Sequence, residues 1–276
     1  MKVLIFGSGN VGTALLEIMK LQKIEVNIIA LRGTFFSSFQ IQRFISHATH
    51  VVWAGKDIST ISEPGEDNVV FFNDLLNYLA TKKREIHFTY ISSGGAIYGN
   101  ADFFPTAETQ EINPISLYGH GKKMGEERLG EISKHNSNLG LLILRVANLY
   151  SLDLNNRNFI SSALKALQSD SKLIIYGGNQ SRDFLHISDF ANISFSLLSH
   201  STTGIFNIGT GRSYSLFQVL EILGVESKKT IKIETYPLRG EDVIRSELDI
   251  RKMHNEYGEE LIDLSMMLVN LHSFDI

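Results

Sequence analysis

Lys2 to Phe6, apolar after its first residue, runs directly into Gly7-Ser8-Gly9-Asn10-Val11-Gly12, and this junction restricts the fold more than any other feature of the chain. Apolar residues then recur at Val11, Leu15, Ile18 and Met19, the spacing of one helix face. The junction therefore reads as strand, tight turn and helix. In such a G-x-G-x-x-G turn the first glycine makes the bend and the second lets backbone approach a pyrophosphate. The third lets helix and strand pack closely, while the helix N-terminus turns free N–H groups and a positive dipole end toward the phosphates. The observation points to a bound dinucleotide, with Gly7, Gly9, Asn10, Val11 and Gly12 as its contacts.

The pattern continues along the chain. Further strand-like runs are expected at Glu25 to Leu31, His50 to Ala54, Ile86 to Ser92 and Leu139 to Ala147. Helical stretches are expected at Asn73 to Lys83 and Leu117 to Lys134. Short apolar strands alternating with helices specify a parallel sheet covered on both faces, so the expected fold is α/β, a Rossmann-type doubly wound parallel sheet. Ala54, closing the third strand, is assigned to the cofactor. From Leu152 onward the alternation loosens into helices, isolated strands and turns such as Tyr176-Gly177-Gly178-Asn179, which suits a smaller C-terminal α/β substrate-binding part. The expected division is 1–151 with about 173–195 for the dinucleotide-binding domain, and about 152–172 with 196–276 for the substrate-binding part.

The 276 residues, 43% of them hydrophobic, suffice for a full core. With 26 basic and 30 acidic residues in no long run of either sign, no electrostatic grip on nucleic acid or on an anionic membrane is expected. The absence of cysteine excludes disulfides, thiolate catalysis and cysteine-type zinc sites, and no metal is expected. No signal peptide and no membrane span are expected, and a reducing cytoplasm fits.

Two local readings refine the chemistry. The residue closing the second strand reports on the adenosine ribose: an acid there accepts from the 2′-hydroxyl of NAD, whereas an arginine suits the 2′-phosphate of NADP. Ile28-Ile29-Ala30-Leu31-Arg32 contains no acid, so Arg32 favours NADP over NAD. Farther on, Tyr118-Gly119-His120-Gly121-Lys122 places a phenol and an ammonium four residues apart, on one face of a helix. A phenol is a poor acid or base near neutrality, but a neighbouring cation favours the phenolate. Lys122 can supply that charge and also reach a nicotinamide ribose. The strand end Ser92-Ser93-Gly94-Gly95 offers a hydroxyl to face the tyrosine.

Six ordered motifs carry a family resemblance that runs to roughly Tyr257. They are the glycine turn, Ser92-Ser93-Gly94-Gly95-Ala96-Ile97-Tyr98-Gly99, Glu108-Thr109 leading to Asn113 through Gly119 and Lys122, Leu144 through Tyr150, Ser181 through Asp189, and Phe206 through Gly211. The chain resembles the extended short-chain dehydrogenase/reductases, specifically the NAD-dependent epimerase/dehydratase family acting on nucleotide sugars. That resemblance implies that Tyr118 is the general acid/base and Lys122 its partner on the nicotinamide ribose. It implies that Asn148, Arg182 and Arg239 contact the substrate diphosphate, and that His186 is structural. The family often forms homodimers by packing two helices from each subunit together, and the apolar positions in Asn73 to Ala80 permit this.

Three departures bear on function. Phe6 stands where the family usually has another glycine. Counting back from Tyr98, the catalytic Ser or Thr position falls on Gly94, so the hydroxyl must come from Ser93 or Ser92, or be replaced by water. The segment after Tyr257 has no clear match. The expected activity is NADP- or NAD-dependent chemistry at sugar C4, as a 4-ketoreductase or a 4-epimerase. Gly95 and Ala96 stand where dehydratases usually carry an acidic pair. A non-catalytic NADP-sensing protein is the alternative, against which stands the retention of Tyr118 and Lys122.

Overall fold

The computed structural model describes residues 1–31, 36, 39–55, 67–156, 158–261, 263–264 and 268. Its first half runs β1 (Lys2–Phe6), α1 (Asn10–Leu21), β2 (Glu25–Ile29), α2 (Phe39–His47), β3 (His50–Trp53), α3 (Asp67–Ala80), β4 (Ile86–Ser93), α4 (Gly94–Ile97), α5 (Leu117–His135) and β5 (Leu139–Val146). The second half runs β6 (Asn148–Tyr150), α6 (Phe159–Ser169), β7 (Leu173–Tyr176), β8 (Ser181–His186), α7 (Ile187–Ser199), β9 (Gly204–Ile208), β10 (Ser213–Ser215), α8 (Leu216–Ser227), β11 (Ile233–Tyr236) and α9 (Arg251–Tyr257). These elements form two compact units. The first comprises Met1–Ser93, Ser116–Arg145 and Ala191–Phe206, and the second Gly94–Ile115, Val146–Phe190 and Asn207–Ile276. Relative to the division drawn on the sequence, Gly94–Ile115 and residues 146–151 and 173–190 fall in the second unit, and residues 196–206 in the first.

The first unit is built on a six-stranded sheet of order β2-β1-β3-β4-β5-β9. β1 pairs in parallel with β2 (Val3 opposite Val26) and with β3 (Val3 opposite His50), and β3 with β4 (His50 opposite His87). Strand order reverses at β1, and the carboxyl end of the strands beside such a reversal is where open α/β sheets bind ligands. A single strand lies outboard of β1 among the described residues. Trp53, Phe71, Phe72, Phe88 and Tyr90 anchor a continuous core with Leu4, Phe6, Leu75 and Leu129, which explains the near-continuous apolar runs of the central strands. Phe6 is completely buried, its ring 5.1 Å from Phe71 and 6.1 Å from Trp53. Its side chain therefore serves the core, and the glycine turn begins at Gly7.

At the opposite end of the sheet His50, 6% exposed, stacks on His87 with ring centroids 4.8 Å apart. Burial, the His87 charge and the N-terminal ammonium push His50 down to about 4. Unfolded histidine titrates near 6.5, so on acidification the unfolded chain takes up the proton first and stability falls from about pH 6.5 toward 4. Going from pH 7 to pH 5 is expected to cost about 1–2 kcal/mol through this group. His50→Phe, which keeps a ring against His87, should flatten that slope in denaturant titrations; an unchanged slope would refute the assignment.

In the second unit β8 pairs in parallel with β6 and antiparallel with β10, while β7 and β11 form a separate parallel pair. Ile160, Leu164, Leu167, Leu173, Ile175, Phe184, Val219 and Leu223 form its core. The Gly177-Gly178 turn after β7 has φ values of +76° and +127°, conformations open to glycine without strain. Among the described residues no helix is long and apolar enough to cross a membrane, and no group of three or more His, Cys, Asp or Glu is arranged to hold a metal ion.

Candidate active site

Two of the three glycines of the turn after β1 are required by close contacts within the protein. Gly7 adopts φ +109° and donates its N–H to Ile29 O at 2.9 Å. A Cβ there would lie 2.7 Å from the backbone carbon and oxygen of Ala54, so the turn and the end of β3 are in direct contact. A Cβ on Gly12 would lie 1.8 Å from Gly7 O, which is why α1 can pack this closely over the turn. At Gly9, by contrast, a Cβ would meet nothing within 4 Å. Gly9 also N-caps α1 without a side-chain hydrogen bond, so no side chain competes for the first N–H groups, those of Asn10 and Val11 among them. Open space over an uncapped helix start at the sheet's reversal point fits a dinucleotide pyrophosphate. Arg32 lies outside the described residues.

Ser116 starts α5, its hydroxyl accepting from Gly119 N at 3.1 Å, and Lys134 and His135 occupy the last turn, where cations suit the dipole. Tyr118 is 45% exposed, whereas Lys122, one turn on, is 4% exposed. The Lys122 ammonium donates to Ile91 O on β4 at 2.8 Å and lies 5.7 Å from the centre of the Tyr118 ring and 5.0 Å from that of Tyr90. The structure thus brings the two expected partners together, with the cation held from below by the strand and the phenol open to ligand.

The two candidate hydroxyls differ. Ser92 is buried and donates to Glu126 Oε1 at 2.5 Å, and Glu126 in turn receives Arg145 through Nε at 3.1–3.2 Å and NH2 at 2.7 Å. Ser93, the next residue, ends β4 half-buried and without the tie to Glu126 that Ser92 makes. Gly94 opens α4.

The second unit contains a cavity of about 400 Å³ whose lining includes Asn148, Tyr150, Asn158, Gln180, Arg182 and Asp242. The Asn148 Oδ1 is buried without a hydrogen-bond partner. Arg182 donates to Ser181 O at 2.9 Å and, among the described residues, no carboxylate lies within ion-pair distance of it. Burial pulls its guanidinium down, and Asp242 opposes that. Asp183, the obvious neighbour to neutralise Arg182, is engaged elsewhere: it is fully buried and accepts from Thr210 N, Thr210 Oγ1, Gly211 N and Leu248 N at 2.7–3.4 Å. Burial pushes the Asp183 carboxyl up to about 6 against the pull of the Thr210, Gly211 and Leu248 donors. Arg239 does not line this cavity; it is exposed, with its guanidinium 3.8 Å above the Tyr176 ring. His186 holds Ser188 Oγ at 2.6 Å and lies edge-on to Tyr150.

Glu126 and Arg145 are not among the candidate site residues that the motifs supply. A signal existed: Arg145 interrupts the apolar strand Leu142-Ile143-Leu144-Arg145-Val146, and a charge buried there requires a partner.

A parallel sheet with a glycine turn at its reversal point and a tyrosine–lysine helix packed on the fourth strand defines the extended short-chain dehydrogenase/reductase class. Within that class the chain belongs to the NAD-dependent epimerase/dehydratase family, whose model matches residues 3–209. A Methanocaldococcus jannaschii protein provisionally named UDP-glucose 4-epimerase is 35% identical over 182 residues, 63% of this chain and 58% of that protein. The match therefore spans less than two thirds of that relative's length. Among solved structures, a Thermotoga maritima UDP-glucose 4-epimerase with UDP-glucose superposes with TM-score 0.85 at 24% identity, covering 100% of this chain and 99% of the other. A Thermus thermophilus UDP-glucose 4-epimerase in complex with NAD gives TM-score 0.85 at 21% identity, covering 98% and 97%. At these identities the two structures share the fold.

Proposed function

We propose that this chain is a nucleotide-sugar 4-epimerase in which Tyr118 is the acid/base, Lys122 its supporting cation and Ser93 the assisting hydroxyl. The observation that carries the reading is the pairing on α5 of an exposed phenol with a buried ammonium 5.7 Å from its ring. NAD held at the glycine turn would supply a reversible acceptor for the C4 hydride. Tyr118, as the base, would take the proton of the C4 hydroxyl as the C4–H bond breaks, and would return it when C4 is reduced from the opposite face. Lys122 supplies a positive charge beside the phenol, and its tie to Ile91 O keeps the ammonium in place. Ser93 suits the third role better than Ser92, whose proton is committed to Glu126. Arg182, with no carboxylate within ion-pair distance among the described residues, is the group to hold the substrate diphosphate, and Asn148, which lines the same cavity, could donate to it only through its Nδ2–H groups.

UDP-glucose is the substrate to try first, given the names of the relatives. The purified protein is expected to interconvert UDP-glucose and UDP-galactose without added cofactor and to release NAD on denaturation. Stoichiometric consumption of NADPH by a 4-keto nucleotide sugar, without interconversion, would overturn the epimerase in favour of a 4-ketoreductase. Arg32 favours that second reading, since an arginine after β2 with no acid nearby suits a 2′-phosphate. On it, Arg32→Ala should weaken NADP binding about tenfold and leave NAD binding unchanged, by fluorescence titration. Equal affinities for the two cofactors in the parent protein would remove the basis for NADP.

A further inference from the structure

We propose that Ser92, Glu126 and Arg145 form a buried clamp that positions the Tyr118 and Lys122 end of α5 against the end of β4. The catalytic part of this inference rests on the reading of Tyr118 and Lys122 given above. Positions 118, 122 and 126 follow one another at four-residue spacing along one side of α5, and exposure drops from 45% at Tyr118 to 4% and 5% at Lys122 and Glu126. At the deep end the Glu126 carboxylate is fully used, with Ser92 Oγ on one oxygen at 2.5 Å and Arg145 across both oxygens. Ser92 belongs to β4 and Arg145 to β5, so one side chain of the helix is bonded to two strands of the sheet.

Consecutive residues of β4 take part. Ile91 O receives Lys122 at 2.8 Å and Ser92 Oγ reaches Glu126, so α5 is pinned at two points one turn apart against the two residues that precede Ser93. Between these points Gly125 has no room for a Cβ, which would lie 2.3 Å from the Tyr90 hydroxyl. The helix backbone thus rests directly on the Tyr90 side chain of β4 beside the Glu126–Ser92 bond. Apolar packing alone tolerates a small slide of a helix along a sheet, whereas these directional bonds do not. A buried ion pair adds little stability over apolar residues of the same volume. What this one supplies is a fixed register between the phenol on α5 and the hydroxyl that ends β4. Ser92 is thus a positioning residue.

The test uses the full chain in two forms. Ser92→Ala removes the β4 bond and leaves the ion pair intact, and Glu126→Leu with Arg145→Met removes both charges together so that neither is left buried alone. Backbone amide exchange of residues 117–126 and steady-state kinetics are then compared with the parent. Exchange in that segment is expected to accelerate about tenfold or more in both variants, with β1 and α1 unchanged. kcat is expected to fall about tenfold to a hundredfold, with KM within about twofold and bound NAD retained. Exchange and kcat at parent values in both variants would overturn the clamp. So would a loss of kcat that follows in proportion the loss of bound NAD and of cooperative unfolding, since that is the signature of a general structural role. A parent protein that turns over no nucleotide sugar refutes the epimerase reading, while the exchange of residues 117–126 still decides the clamp.

Discussion

Tyr118→Phe is expected to lower kcat by about three orders of magnitude, near 4 kcal/mol of transition-state stabilisation, because a positioned acid/base contributes between about a hundredfold and ten-thousandfold. The substitution removes one oxygen from a side chain that is 45% exposed, so the fold and the glycine turn should be untouched. Thermal unfolding and NAD content should match the parent, and KM for the nucleotide sugar should change little, since in the proposed mechanism the phenol acts on the proton rather than on the diphosphate. The phenyl ring left by the substitution would still cover Lys122, which keeps its bond to Ile91 O. Turnover within threefold or so of the parent would dispose of Tyr118 as the acid/base, and of the proposed epimerase mechanism with it.

The second large effect is on stability. Asp183→Asn is expected to destabilise the chain by about 4 kcal/mol, since two of the four donors converging on the carboxylate would face an amide NH2 instead of an oxygen. Three of those donors are backbone N–H groups, of Thr210, Gly211 and Leu248, which cannot reverse direction. For a chain of this size that corresponds to a fall in Tm of about 10 °C. Although burial raises Asp183 to about 6, it is still a carboxylate at pH 7, the form the donors require. Calorimetry at pH 7.5 showing a Tm within about 2 °C of the parent would mean that the network rearranges around the amide.

Much of the first unit is legible from local rules. The turn after β1, the start of α1 at Asn10 and the start of α5 at Leu117 all follow from glycine placement, capping residues and helical spacing, and the expected helix from Leu117 to Lys134 ends one residue short of His135. The boundary between the two units is less legible, because the chain passes between them several times and no change of composition marks the crossings. Among site residues, Gly7, Gly12 and Ala54 meet around one turn, Tyr118 and Lys122 meet on one helix, and Asn148 and Arg182 line one cavity. Arg239, grouped with Arg182 on family resemblance, lies over the Tyr176 ring.

Backbone path and motif chemistry could be read from residues close together along the chain, because glycine sterics, helix periodicity and strand alternation act over a few residues. The glycine turn and the tyrosine–lysine pair are of this kind. Which buried polar groups neutralise one another is settled over much longer separations: Ser92 and Glu126 are 34 residues apart, Glu126 and Arg145 19, and Asp183 and Leu248 65. Such partners are selected only when helix and sheet close on each other and strip the water that would otherwise solvate them. The commitment of Ser92 to Glu126, and that of Asp183 to Thr210, Gly211 and Leu248 rather than to Arg182, therefore belong to the packed structure.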